Sequence, residues 1–321
     1  MTEKNLELMK KDRDRCSRIR LVVTDLDGTF LNKKSDISPR NLRAVQALRD
    51  AGLEFAVCTG RRYEDAIRVL EKGRLCCAMV AMNGAALYDI HGNTLRQHSL
   101  TGSQAAEIVR RIMPWRDKLL IQIIAGDKVY VMSREEVLQK FFSAYVMPEE
   151  GQKEEREALL ASYVRVTEKE LPSIEETFYK VEIMSEDEEL ICRIREPLGQ
   201  VKGISIGASF ATNWEITSEK ASKGAGLTDF AELHGYGLCQ VMAMGDGDND
   251  RTMLSLPLGW SVSMGNGTEY IKGLAHVITG TNEEDGFAQA VEALLECRRA
   301  LASDKAGWPG TGPFLVDNRG K

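Results

Sequence analysis

Two carboxylates, Asp25 and Asp27, stand two residues apart in the run DLDGT, immediately after an apolar, β-branched stretch. Far along the chain a second acidic run, GDGDND, carries Asp246 and Asp250. Between them lie Thr59, which closes another apolar stretch, and Lys223, which follows Ser222 at the start of a helical pattern. Carboxylates brought within a few ångströms of one another raise each other's pKa, so a cluster of three or more calls for a cation. A hard, oxygen-seeking ion such as Mg²⁺ answers that need, since it takes one or two carboxylates, keeps several waters and accepts phosphate oxygens as further ligands. Each signature has a blander meaning alone. Asp27-Gly28 is an ordinary turn dipeptide, Thr59-Gly60 an ordinary strand-to-helix loop, and Lys223 an ordinary surface lysine. GDGDND could be a calcium loop, but the Glu that an EF-hand places twelve positions from its first ligand is missing.

Whether these groups meet depends on the elements that carry them. Ile19 to Thr24 is too short and too β-branched for a helix and reads as a buried strand. Ser38 to Ala51 reads as a helix, with Pro39 in its first turn and Gly52 at its stop. Leu53 to Cys58 and Met79 to Met82 read as further strands, and the strand–helix alternation argues a parallel sheet. After Asn83-Gly84 the texture changes to hairpin-like runs, AALYDIHGNTLRQHSL and LLIQIIAGDKVYVMS. Capping boxes are expected at Thr101 with Gln104, Ser133 with Glu136 and Ser185 with Glu188. Alternation resumes with a helix over Lys223 to His234, a strand over Cys239 to Met244, a helix over Asp250 to Ser255, a strand over Trp260 to Met264 and a last helix over Gly286 to Cys297. The fold expected is therefore α/β: a doubly wound, Rossmann-like parallel sheet interrupted by an inserted α+β domain. Core is expected at 18–84 and 205–300 and the insertion at 85–204. In such sheets ligands bind beyond the carboxyl ends of the strands, where all four polar signatures fall.

The 321 residues exceed what one hydrophobic core usually supports. Lys and Arg total 42 against 48 Asp and Glu, and no basic block tracks a nucleic-acid backbone. The apolar runs are too short to span a bilayer. The charged N-terminus lacks the apolar stretch of a secretory signal, so a cytoplasmic location is expected. Residues 1–17 and the Gly/Pro-rich 303–321 are expected to be poorly ordered, and Glu149 to Glu157 a solvated loop or helix start. The seven cysteines have no zinc-ligand spacing and read as reduced, mostly buried thiols, Cys76 and Cys77 included. His91, His98, His234 and His276 are given no catalytic part.

DLDGT, TGR, a helix-opening SKG and GDGDND, in that order with an insertion between the second and third, resemble the haloacid dehalogenase superfamily of phosphohydrolases. The position of the insertion, with NGAALYD, MGNG and EEDGF, resembles its Cof-type branch with a type 2 cap. The resemblance implies a Mg²⁺-dependent phosphatase acting on a small phosphorylated metabolite, with neither nucleic acid nor membrane as partner. It implies Asp25 as nucleophile forming an aspartyl-phosphate and Asp27 as acid and base. Thr59 and Lys223 would hold the phosphoryl oxygens. The metal ligands would be Asp25, Asp27 through its backbone carbonyl, and Asp246, with Asp250 in support. Gly28, Gly60, Arg61, Asn83 and Gly84 would contact phosphate or substrate, and Asn249 would position Lys223 or the phosphate. Lys220, where the family usually has a small residue, and Arg251, where it has a small or apolar one, depart from the pattern. A phosphoacceptor signalling module is opposed by the long insertion. A phosphomutase and a catalytically silent sugar-phosphate binder remain as alternatives.

Overall fold

The computed structural model describes residues 5–126, 128–141, 163–208 and 211–306. The N-terminal stretch forms two short helices instead of the disordered segment expected, α1 (Leu6–Lys11) and α2 (Arg13–Arg18), capped by Asn5 and Asp12. Charge dominates its composition, but Met9, Cys16 and Ile19 are fully buried against the core, and Lys10 pairs with Glu296 at 3.1 Å. Those few apolar positions outweigh the charged majority, because the charged side chains can stay in water while the helices pack. Residues 307–321 and 149–157 lie outside the described residues.

The core sheet begins with β1 (Leu21–Thr24), all of it buried. Next come α3 (Pro39–Asp50), β2 (Glu54–Cys58), α4 (Tyr63–Lys72) and β3 (Ala78–Ala81). The hairpin β4 (Ala86–Tyr88) and β5 (Thr94–Gln97) adds antiparallel to β3. The chain then builds a second sheet: α5 (Gly102–Ile112), β6 (Leu120–Ala125), β7 (Lys128–Val131), α6 (Glu135–Phe141), β8 (Tyr163–Arg165), β9 (Lys180–Met184), α7 (Glu188–Leu198), β10 (Ile204–Gly207) and β11 (Asn213–Ser218). It returns to the first sheet through α8 (Lys223–Leu233), β12 (Val241–Gly245), α9 (Arg251–Leu254), β13 (Trp260–Ser263), α10 (Glu269–Leu274), β14 (Val277–Ile278) and α11 (Gly286–Ala306).

Among the described residues the first sheet has eight strands in the order β14-β13-β12-β1-β2-β3-β4-β5, and the second has six, β10-β11-β9-β6-β7-β8. These pairings divide the chain differently from boundaries at 85 and 204. The β4–β5 hairpin lies in the first sheet and β10–β11 in the second, because a two-residue alternation does not reveal which sheet edge a hairpin will join. Leu21 and Val23 of β1 face Leu227, Phe230 and Ile271 of α8 and α10. Val22 faces the opposite side, with Val45, Leu70 and Leu294 of α3, α4 and α11. Apolar cover on both faces explains why these strands are continuous hydrophobic runs.

One expected capping box forms, Thr101 with Gln104. Ser133 Oγ instead accepts from the backbone N–H of Ile121 at 2.6 Å, tying β6 to the chain after β7. α7 is capped by Asp187, while Ser185 Oγ donates to the Lys118 carbonyl. The Ser133 hydroxyl is taken by a backbone N–H of the neighbouring strand, and Ser185 Oγ accepts from the N–H of the Asp187 cap at 3.2 Å instead of reaching Glu188. All seven cysteines are free, with Cys16, Cys58, Cys77 and Cys297 buried and Cys76, Cys192 and Cys239 exposed. Among the described residues no helix is long and apolar enough to cross a membrane.

Candidate active site

Strand register brings the sequence signatures to one edge. Thr24 pairs with Met244 on one side and Val57 on the other. The residues that follow, Asp25, Asp246 and Thr59, therefore emerge together from three adjacent parallel strands. The order of connection reverses between β12 and β1, the kind of switch point where open α/β sheets bind ligands.

Asp25 donates its backbone N–H to the Met244 carbonyl at 3.0 Å. The loop after it is nailed down by Phe30, whose ring lies 4.8 Å from Phe287, edge-on, and 5.6 Å from Phe55. Gly28 turns the loop at φ +76°, and a Cβ there would sit 2.3 Å from an Asp246 carboxylate oxygen. Only glycine admits both that conformation and that approach. Asp246 then accepts from Thr29 Oγ1 at 2.7 Å. Asn266 Nδ2, from the MGNG segment, donates to the Gly28 carbonyl at 2.8 Å, and Asn266 Oδ1 accepts from the Asn282 N–H at 2.9 Å.

Lys223 is the first residue of α8, whose N-cap Ser222 accepts from the Ala225 N–H. The lysine is fully buried. Its Nζ lies 2.8 Å from Asp25 Oδ1 and 2.7 Å from Asp250 Oδ1. The second oxygen of Asp250 accepts from the backbone N–H groups of Asp246 and Gly247, at 2.9 and 3.0 Å. Oxygens of Asp25, Asp246 and Asp250 all lie within 4.8 Å of one another. Burial, with the Asp250 and Asp246 charges adding to it, pushes the Asp25 carboxyl well above its ordinary value although Lys223 opposes. Burial likewise raises Asp246 to about 6, against the Thr29 hydrogen bond. Burial works against the charge on Lys223, but Asp25 and Asp250 outweigh it and hold the ammonium protonated. Three carboxylates against one ammonium leave negative charge in excess, and the donor atoms are all hard oxygens. The group fits a divalent metal ion that takes oxygen ligands.

Thr59 is fully buried, with its N–H given to the Val80 carbonyl and its Oγ1 accepting from the Arg61 N–H at 3.1 Å. Arg61 makes a two-pronged pair with Asp27, at 2.7 and 2.5 Å. The Asp27 carboxylate is thus engaged by Arg61 and is not a member of the group formed by the other three. Asn249 lines the cleft, while Lys223 is held by Asp25 and Asp250 instead. Gly84, at φ +90°, lets its loop press on the Ser222 carbonyl, which a Cβ would meet at 2.1 Å. Asn83 donates its N–H to the Thr59 carbonyl at 3.0 Å and its Nδ2 to Glu215 at 2.5 Å.

These groups open into a cleft of 1110 Å³ whose other wall is the second sheet, with Gln122, Tyr163, Lys180, Glu182 and Glu215. Gln122, Glu182 and Glu215 are register partners across β6, β9 and β11, so their side chains share one face. Ile121, Ile123, Val181, Ile183 and Ile216 alternate with them and pack under α5 and α7. None of these residues on the second sheet belongs to a sequence motif, and their only signal is a polar side chain interrupting an apolar run, as Gln122 does in β6 and Lys180 and Glu182 do in β9.

A model of the haloacid dehalogenase-like hydrolases matches residues 22–291. The chain belongs to this family. Among curated relatives it is 27% identical to phosphatase YwpJ of Bacillus subtilis, over 86% of this chain and all of that one. It is 25% identical to pyridoxal phosphate phosphatase YbhA of Escherichia coli, over 86% and 98%. A solved haloacid dehalogenase-like hydrolase from B. subtilis superposes with a TM-score of 0.72 at 26% identity, covering 85% of this chain and 99% of that one. The fold, α/β with an inserted cap, is that of these neighbours, and the chain is a phosphoric monoester hydrolase.

Proposed function

We propose that the protein is a Mg²⁺-dependent phosphatase that removes phosphate from a small phosphorylated metabolite through an aspartyl-phosphate on Asp25. The observation that carries this reading is the buried Asp25 carboxylate, held 2.8 Å from Lys223 Nζ within the group formed with Asp246 and Asp250. A divalent ion bound there would neutralise the excess negative charge and draw in phosphate oxygens. Lys223 fixes one Asp25 oxygen, which leaves the other to meet the phosphorus. Lys223 and the Thr59 hydroxyl offer fixed donors to the phosphoryl oxygens, so little reorganisation is needed as charge moves.

Asp27 is given the proton transfers. In the conformation described its carboxylate is held by Arg61. Substrate entry exchanges that pairing: Arg61 turns to the phosphoryl oxygens and Asp27 to the leaving oxygen. Released from Arg61, Asp27 takes a proton from solvent, passes it to the departing alcohol, and afterwards, as a carboxylate again, takes a proton from the water that hydrolyses the acyl phosphate. Relatives named as phosphatases of pyridoxal phosphate and of 5-amino-6-(5-phospho-D-ribitylamino)uracil support a substrate of that size, which the cleft accommodates. The test is phosphate release from a panel of phosphorylated metabolites, with Mg²⁺ and with chelator. Metal-dependent release of free phosphate is expected. Phosphate returned to a second position of the substrate would mark a mutase, and no turnover of any ester a silent binder.

A further inference from the structure

Four polar groups in this molecule join the cap to the loop that carries Thr59, and the proposed chemistry uses none of these contacts. Lys180 on β9 and Glu215 on β11 are both buried and pair at 3.3 Å. Each also reaches across to the core. Lys180 Nζ donates to the Gly60 carbonyl at 3.3 Å, and Glu215 Oε2 accepts from Asn83 Nδ2 at 2.5 Å. Asn83 is held at φ +54°, a left-handed conformation that asparagine adopts more readily than most residues. In that conformation its backbone N–H meets the Thr59 carbonyl at 3.0 Å. The neighbouring Met82 N–H closes the same loop on the Arg61 carbonyl at 3.0 Å.

From this geometry we infer that the Lys180–Glu215 pair is a latch that sets the Thr59–Arg61 loop when the cap is seated, making both residues positioning residues for phosphoryl transfer. One ion pair on the cap grips two successive peptide carbonyls, Gly60 directly and Thr59 through Asn83. Seating the cap thus fixes the loop that presents the Thr59 hydroxyl and Arg61. Burial opposes the charge on Lys180, but Glu182 and Glu215 outweigh it and keep the ammonium charged. A charged donor in a site shielded from water makes a strong bond to a carbonyl. A residue that chose among substrates would touch the leaving group. Lys180 and Glu215 bond to each other and to core groups, with Glu182 3.9 Å from the lysine, so their removal acts on every ester alike.

The inference rests on the proposed phosphatase reading, and the test separates the two. Removing one member of a buried ion pair strands the other, whereas replacing both with apolar residues is far better tolerated. The variants are therefore Lys180→Met, Glu215→Leu and the double replacement. Hydrogen exchange is followed at the amides of Arg61, Met82 and Asn83, and turnover is followed with acetyl phosphate and with a bulky phosphate ester. In the folded double variant these amides should exchange about tenfold faster or more, while β1 and β12 keep their protection. Values of kcat/KM for the two esters should fall together, by about 10- to 100-fold, since small misplacements of positioning groups have effects of that size. Unchanged exchange at the three amides would overturn the latch. So would a loss confined to the bulky ester, because it would place these residues on the leaving group. If wild-type protein turned over no ester at all, the phosphatase reading would fail and the exchange data would still decide the latch.

Discussion

In the eight-stranded sheet the charged groups gather beyond the strand ends, whereas in the six-stranded sheet they lie on the strand faces. The first arrangement follows from parallel strands buried on both sides, which can display polar groups only where the backbone leaves the sheet. Asp25, Asp246 and Asp250 are accordingly held by backbone N–H groups, by Thr29 and by Lys223, in a geometry with little freedom. The second arrangement follows from a sheet covered by α5 and α7 on one side and facing the cleft on the other, apart from the end where Leu138 of α6 packs on Leu120, Val129 and Val131. Gln122, Glu182 and Glu215 stand in a row on that open face. Damage to the first region should abolish chemistry for any ester, while changes at the open cleft surface of the second, outside the Lys180–Glu215 pair, should alter which ester is preferred.

Asp25→Asn is the harshest test of that contrast. The variant is expected to fold, because the change is nearly isosteric and removes a repelling charge, yet to lose on the order of 10⁴-fold or more in kcat with every ester. Lys223→Met should lower kcat by about 10²- to 10³-fold. It should also reduce unfolding free energy by about 3–5 kcal/mol, since Asp25 and Asp250 lose their counter-charge inside the fold. Both effects can be read from initial rates and denaturant unfolding. Arg61→Ala releases Asp27 from its two-pronged pair. A fall of about 10²-fold in kcat/KM is expected, again for all esters.

On the cap side, Gln122→Ala and Tyr163→Phe should leave acetyl phosphate turnover unchanged while shifting the ratio of kcat/KM between two larger esters by about 3- to 10-fold. Equal losses on small and large esters would erase the division of labour.

A pH experiment sharpens the core side. With Asp246 raised from 3.8 to about 6, the metal-free native state keeps a proton that the unfolded chain has already lost between those values. Metal-free stability should therefore fall as pH rises through that window, the opposite of the usual salt-bridged carboxylate. Metal competes with that proton, so Mg²⁺ should raise Tm more at about pH 8 than at about pH 5. An equal shift at both would remove Asp246 from the site.

Much of the core was readable because its signals are local. DLDGT follows the strand that carries it, and Ser222-Lys223-Gly224 announces both the cap of α8 and its buried lysine. Pairings such as Thr24 with Val57 and Met244 follow once the strands are parallel. The Asp27–Arg61 pair was not readable, because it joins two side chains thirty-four positions apart across the cleft. Lys180 and Glu215 carried no motif at all. Each alternates with apolar residues along its strand, and its meaning comes from the face on which the register places it. The two N-terminal helices were hidden by their own charge, since Met9 and Cys16 are the only residues in them that are buried.

The nucleophile itself can be caught by acid-quenching the Asp27→Asn variant during its first turnover of a nitrophenyl phosphate, whose alcohol departs without a proton, and mapping the peptides by mass. Without its proton acceptor the hydrolytic step should stall, leaving one phosphoryl group on the peptide that contains Asp25. Alcohol released in equal amount to the protein, with the phosphate already free in solution or attached to another residue, would contradict attack by Asp25.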